Sequence, residues 1–198
     1  NRCRRQRQMC IRDRNKYMHL TNKINEFLSL IQEADKIVIL TGAGISTESG
    51  LPDFRSDDGF WTKNKPILFK EFLKDAGSRR LSWERNLELK EKLKSIKPNT
   101  GHFFVRDLIN TSANHHLITQ NIDGLHSIAG LDERKIIEIH GNATKASCLN
   151  CFKEFDPSIF HKSIINHLEI PDCSDCGSLV KVSTCLLYTS PSPRDEVL

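Results

Sequence analysis

The stretch Lys36-Ile-Val-Ile-Leu-Thr-Gly-Ala-Gly-Ile-Ser46 decides the fold class. Lys36 to Leu40 has the length and β-branched composition of a buried strand. It runs into Gly42 and Gly44, where the chain must turn sharply. Glycine there permits positive φ and close approach of the backbone to a pyrophosphate, whose charge suits a helix N-terminus. Taken alone the signal is weak. The dehydrogenase fingerprint would place a third glycine where Thr47 stands, and a glycine turn without a ligand fits the same residues.

On the N-terminal side, Ile24, Phe27, Leu28 and Ile31 recur at helical spacing, predicting an amphipathic helix over 20–34 with Thr21 as a possible cap. On the C-terminal side, the irregular stretch from Leu51 to Pro66 is long for a loop in a compact domain, and such loops usually carry function. Residues 67–112 read as mostly helical, broken at Gly77 and at Lys97-Pro98-Asn99, with Asn99 capping a helix that carries Phe103, Val105, Leu108 and Ile109. His115 to Thr119 is a second strand, and Gln120 to Gly124 turns into a short helix. Lys135 to Ile139 is a third strand, ending at His140-Gly141. Strands alternating with helices predict an α/β fold, a Rossmann-like parallel sheet.

Residues 145–181 differ in kind. Cys148-x-x-Cys151 and Cys173-x-x-Cys176 are two knuckles 21 residues apart. Each turn points two thiolates the same way, and two such turns complete a tetrahedral Zn²⁺ shell. A pair of disulfides is the competing reading, disfavoured in a reducing interior. Four thiolates close the shell and leave no obvious open position, so a zinc here is structural.

Composition bounds the remaining classes. Of the net charge of +4, residues 1–14 carry +5 and residues 183–198 carry −1, so 15–182 balance to zero. That gives no footprint for a polyanion, and no direct nucleic-acid binding is expected. No apolar run approaches the roughly 20 residues of a membrane span, and the basic start is not a secretory signal; a cytoplasmic protein is expected. Both ends resemble translated adapter sequence, although residues 1–14 also fit a genuine basic arm. The expected organisation is a foreign segment 1–14, the N-terminal part of a Rossmann-like domain with a helical insert at 15–144, a zinc module at 145–181 and a foreign tail at 182–198.

Three further constellations carry chemistry. Asp53-Phe-Arg55 offers a fork-shaped donor for phosphate and a ring to cover a planar group; an Asp53–Arg55 surface pair and a core Phe54 compete. Thr119-Gln-Asn-Ile-Asp-Gly-Leu-His126 brings Gln120, Asn121 and Asp123 to the end of a parallel strand, where α/β sheets bind ligands; helix capping by Asn121 or Asp123 is the plainer alternative. His140 stands at another strand end and is a natural general base, although a lone His is often structural.

In order, Gly42-Ala-Gly-Ile-Ser46 with Gly50-Leu-Pro-Asp-Phe-Arg55, Gln120-Asn-Ile-Asp123, His140-Gly141 and the two CxxC pairs resemble the sirtuin family over about residues 20–181. The resemblance implies a transferase, an NAD-dependent protein lysine deacylase acting on acylated-lysine proteins, with NAD and Zn²⁺ as cofactors. It implies that His140 deprotonates a ribose hydroxyl while the acyl oxygen attacks the nicotinamide-bearing carbon, giving nicotinamide, the free lysine and O-acyl-ADP-ribose. Asn121 is implied as catalytic beside it. Gly42, Ala43, Gly44, Ile45, Asp53, Phe54, Arg55, Gln120, Asn121, Ile122 and Asp123 are implied around the cofactor. Acid-selective relatives carry Tyr and Arg three residues apart; an ungapped alignment puts Asn86 and Leu89 there, implying a neutral acyl group. After Lys181 the family pattern breaks off, so the Rossmann sheet is expected to be incomplete and the chain inactive by itself. A zinc-ribbon binding module, a dehydrogenase and ADP-ribosyl transfer to protein are the alternative functions.

Overall fold

The computed structural model describes residues 20–53 and 66–185. Phe54 and Arg55 lie outside the described residues. The chain divides into two compact units, one up to Ile37 and one from Val38 onward. The first contains helix α1, residues 20–33, as the spacing of its apolar positions predicts.

In the second unit, β1 (Val38–Thr41), β2 (His116–Thr119) and β3 (Ile136–Glu138) form a parallel sheet in the order β1-β2-β3. Thr41 pairs with Thr119 and Thr119 with Glu138, so the three carboxyl ends finish level. One face of this sheet is packed. Leu117 is fully buried against Val105 and Ile109 of α4 (Thr100–Asn110), with Leu131, Ile39 and Ile136 alongside. Burying a leucine this way is worth about 1.5–3 kcal/mol. The expectation of a buried β1 holds for that face alone, because Val38 and Leu40 point the other way and are exposed.

Helix α2 (Phe69–Lys74) and helix α3 (Ala76–Leu93) meet at Asp75, not at Gly77. Asp75 leaves the helical region at φ −118°, and its carboxylate accepts from the Ser78 N–H at 2.6 Å. That carboxylate caps α3, and Gly77 falls inside the first turn, where its low helix propensity does little harm. Asn99 caps α4 as expected, accepting from the N–H groups of Gly101 and His102. Helix α5 (Leu125–Ile128) is the short helix after Gly124.

A second, antiparallel sheet joins β5 (Glu154–Phe155), β4 (Gly141–Cys148) and β6 (Val180–Thr184) in that order. Helix α6 (Ser158–Ile165) and α3 pack over it. Trp83 of α3 stacks on Phe160 of α6 at 4.4 Å between centroids, above a core of Ala146, Cys148, Cys173, Val180 and Val182. No helix among the described residues is long and apolar enough to cross a membrane.

Candidate active site

The sheet edge is tied together first by backbone. The Gln120 N–H donates to Thr41 O at 2.9 Å, and the Ile139 N–H to Thr119 O at 3.1 Å. Gly42-Ala-Gly44, Gln120-Asn-Ile-Asp123 and His140 therefore leave three adjacent strand ends on one side, where a parallel sheet presents ligands. The glycine turn differs from its expected form. Gly42 is extended at φ −133° and opens a 3-10 helix, Ala43–Ser49; the left-handed residue is Gly50, at φ 96°, which closes it. What Gly44 provides is room, since a Cβ there would meet no atom within 4 Å. Ile45 packs from this turn onto the α4 core. Asp53 is half-buried.

Beneath the turn lies a buried polar cluster. The Ser46 hydroxyl donates to Asp123 Oδ2 at 2.7 Å and accepts from Asn121 Nδ2 at 3.2 Å, with His102 Nε2 at 3.5 Å. Asp123 also accepts from the Leu125 N–H through Oδ1, so it caps α5 and holds Ser46 at once. Asn121 gives its NH₂ to Ser46, and its Oδ1 is buried with no partner among the described residues. A buried acceptor in that state costs about 1–3 kcal/mol, a strain that a ligand hydroxyl would relieve. The Ala143 N–H fixes the Ile122 carbonyl at 3.0 Å and anchors the loop to β4.

His140 is exposed, and its Nδ1 lies 3.0 Å from Gln120 O. A carbonyl only accepts, so Nδ1 carries the proton, and in the neutral ring Nε2 presents a free lone pair. That is the tautomer a general base needs. Ser46, His102, Thr41, Thr119 and His126 join the site without having been assigned roles from sequence. His102 had a legible signal, since it shares the 3–4 spacing of Val105 and Ile109 and therefore the buried face of α4.

The four knuckle sulfurs converge separately. Cys148 and Cys176 are 3.4 Å apart, Cys151 and Cys173 3.6 Å, and all four lie within 4.8 Å of one another. A disulfide needs about 2.05 Å, whereas four sulfurs at about 2.3 Å from one Zn²⁺ sit under 4 Å apart. The donor set fits a single Zn²⁺. Thiols this close do not ionise independently. The Ser178 N–H holds Cys176 down to about 6, while Cys151 is pushed up to about 12: the Lys153 N–H lowers it, but desolvation and the other sulfurs prevail. A bound cation removes that conflict.

Asn86 does not line an open surface. It is buried, donating to Ala143 O at 3.0 Å and accepting from His161 Nε2 at 2.7 Å, and so ties α3 to β4 and α6. Leu89 is half-buried.

The chain is similar to known proteins along most of its length. The family model described as Sir2 family matches residues 42–193. An NAD-dependent protein deacetylase of Rhodopseudomonas palustris is 36% identical over 90% of this chain and 70% of its own length. An NAD-dependent protein deacylase of Archaeoglobus fulgidus is 35% identical over 88% of this chain and 68% of its own. A solved Sir2 structure with a deacetylated p53 peptide and 3′-O-acetyl ADP-ribose superposes with a TM-score of 0.68 at 33% identity, covering 87% of this chain and 68% of that one. Strand-end motifs, zinc-ready knuckles and relatives at this identity converge on one statement: the chain belongs to the Sir2 family.

Proposed function

We propose that this chain is an NAD-dependent protein lysine deacylase that removes neutral acyl groups. The observation that carries the reading is His140, with its Nδ1 proton committed to Gln120 O and Nε2 without a partner among the described residues, on the same sheet edge as the Asn121–Ser46–Asp123 cluster. NAD supplies an electrophilic ribose carbon when nicotinamide departs. Gly42, Ala43, Gly44 and Ile45 hold the phosphates, with Asp53, Phe54 and Arg55 following on the chain. Gln120, Asn121, Ile122 and Asp123 hold the nicotinamide half, and the unpartnered Asn121 Oδ1 takes a hydroxyl proton donor. His140 Nε2 receives the proton of one ribose hydroxyl, and Asn121 Oδ1 accepts from its neighbour and so holds the ribose in place. The relative seen with a deacetylated peptide and 3′-O-acetyl ADP-ribose supports the same acyl acceptor here.

The zinc is structural, closing β4, β5 and β6 at the end remote from His140. The parallel sheet serves as the cofactor-binding part, and the antiparallel sheet with its two knuckles as the zinc module. Partners are acylated-lysine proteins, and the balanced charge of 15–182 gives a polyanion no footprint. Free thiols kept ready for zinc suit a reducing compartment such as the cytoplasm. A neutral acyl preference follows from Asn86, whose amide is already engaged, and from Leu89, which carries no charge for a carboxylate.

This chain spans 70% of the length of the Rhodopseudomonas relative, and a doubly wound site uses both halves of its sheet, so the 198 residues alone are expected to turn over slowly or not at all. The decisive experiment compares them with a chimera that adds the part of the Rhodopseudomonas relative they do not match. Nicotinamide release is measured with acetyl-, myristoyl- and succinyl-lysine peptides in competition. The chimera is expected to favour acetyl or myristoyl. A folded, zinc-loaded chimera that releases no nicotinamide would sink the deacylase reading, and succinyl winning would sink the acyl assignment.

A further inference from the structure

The ends of β1 and β2 are also joined by side chains, through a chain of hydrogen bonds that begins at His126. Thr41 Oγ1 donates to Thr119 Oγ1 at 2.9 Å and lies 3.0 Å from His126 Nε2. Thr119 Oγ1 in turn accepts the Asn121 backbone N–H at 3.1 Å. Thr41, Thr119, Asn121 and His126 are all buried. A hydroxyl has one proton. Thr41 gives its proton to Thr119, so towards the imidazole it can only accept, and His126 Nε2 carries the ring proton. Nδ1 is buried without a partner among the described residues, so the ring has no acceptor for a second proton. The groups facing it agree. His102 of α4 packs against the ring at 4.9 Å between centroids, Thr41 comes from β1, and Asp123 bears on it from the loop before α5.

We infer that His126 is a positioning residue for Asn121: its Nε2–H, relayed through the Thr41 and Thr119 hydroxyls, fixes the Asn121 backbone where the side chain meets Ser46. Asn121 is gripped at both ends, by Thr119 at its N–H and by Ser46 at its amide. Losing the relay frees the first grip and leaves the amide to swing about the second. The functional meaning of that placement rests on the deacylase reading, while the relay rests on the fold alone.

The test is by NMR on the ¹⁵N-labelled 198-residue chain. The His126 ring is expected to show the Nε2–H tautomer, unchanged from pH 8 to pH 6. In His126→Leu the Asn121 N–H is expected to exchange at least about tenfold faster, the loss of roughly one hydrogen bond's net worth. The Ala146 N–H of β4 is expected to stay within about twofold. His126→Gln, whose amide donates from the place of Nε2, is expected to restore most of the protection. An Nδ1–H tautomer, a ring charged at pH 7, or an Asn121 N–H equally protected in the Leu variant would overturn the inference. Should the Leu variant not fold, the wild-type tautomer and the Gln variant decide, with Gln losing protection counting against it. Failure of the deacylase reading would appear only in nicotinamide release and would leave these spectra as they are.

Discussion

At the scale of single residues, the site works by deciding where protons sit. His140 Nδ1 is committed to Gln120 O, which leaves the Nε2 lone pair for the proposed role of base. Replacing His140 with Tyr in the active chimera is expected to lower nicotinamide release with an acetyl-lysine peptide by about 10²–10⁴-fold, the usual range for general-base removal. NAD affinity by calorimetry should change little, because most of the residues proposed to hold NAD belong to the glycine turn and the Gln120–Asp123 loop; near-normal turnover would exclude His140 as the base. His126 makes the opposite use of burial. Desolvation first, and then the neighbouring His102, push it down from 6.5 to about 4, with Asp123 opposing. Its folded value lies below its unfolded one, so its contribution to stability is complete above about pH 6.5 and is lost as pH falls towards 4. Each pH unit in that window is worth about 1.4 kcal/mol, which bounds the loss at about 3 kcal/mol. Urea unfolding at pH 7 and pH 4.5 checks this, since His126→Gln should flatten the pH slope relative to wild type. An identical slope in both would remove His126 as its source.

Among the secondary-structure elements, what was legible in the sequence is what repeats. The β-branched run after Lys36, the 3–4 spacing on α4 and the knuckle spacing each encode a periodicity or a fixed geometry, and each appears as expected. What could not be read depends on partners distant in the chain. Gly77 looked like a break, but Asp75 wins because its carboxylate finds the Ser78 N–H. Val38 and Leu40 looked buried, but strand pattern alone cannot tell whether one layer or two covers a sheet. Ser46 became the hub of the polar cluster only because α4 and the Gln120–Asp123 loop converge on it. Capping offers a clean test at this scale. Asn99 holds two N–H groups at the start of α4 and reaches back to Ile45 O and Ser49 Oγ. Asn99→Ala should therefore exceed the ~1 kcal/mol of an ordinary cap and approach 2 kcal/mol in thermal or urea unfolding. A change below about 0.5 kcal/mol would mean that the bonds to the glycine turn contribute nothing.

For the molecule as a whole, the two sheets are held by different means, and zinc separates them. The parallel sheet rests on Leu117, Val105 and Ile109, an apolar core that needs no metal. The antiparallel sheet buries Cys148 and Cys173 among its core residues, so the same side chains serve the core and the metal shell. Removing zinc leaves four thiols within 4.8 Å whose ionised forms repel. The sheet must then protonate them or spread apart, and spreading opens the packing under Trp83. Metal binding of this kind is folding free energy, and a chelator withdraws it. Trp83 is the reporter, stacked on Phe160 at 4.4 Å; with two tryptophans in the chain, a Trp61→Phe background leaves it alone. Chelation, or Cys173→Ser, is expected to shift Trp83 emission towards that of an exposed indole and to release one zinc per chain. The Leu117 amide of the parallel sheet should keep its protection from hydrogen exchange throughout. A full complement of zinc with unchanged Trp83 emission in Cys173→Ser would overturn the tetrahedral assignment. Loss of Leu117 protection together with the Trp83 shift would instead show that the two sheets unfold as one cooperative body.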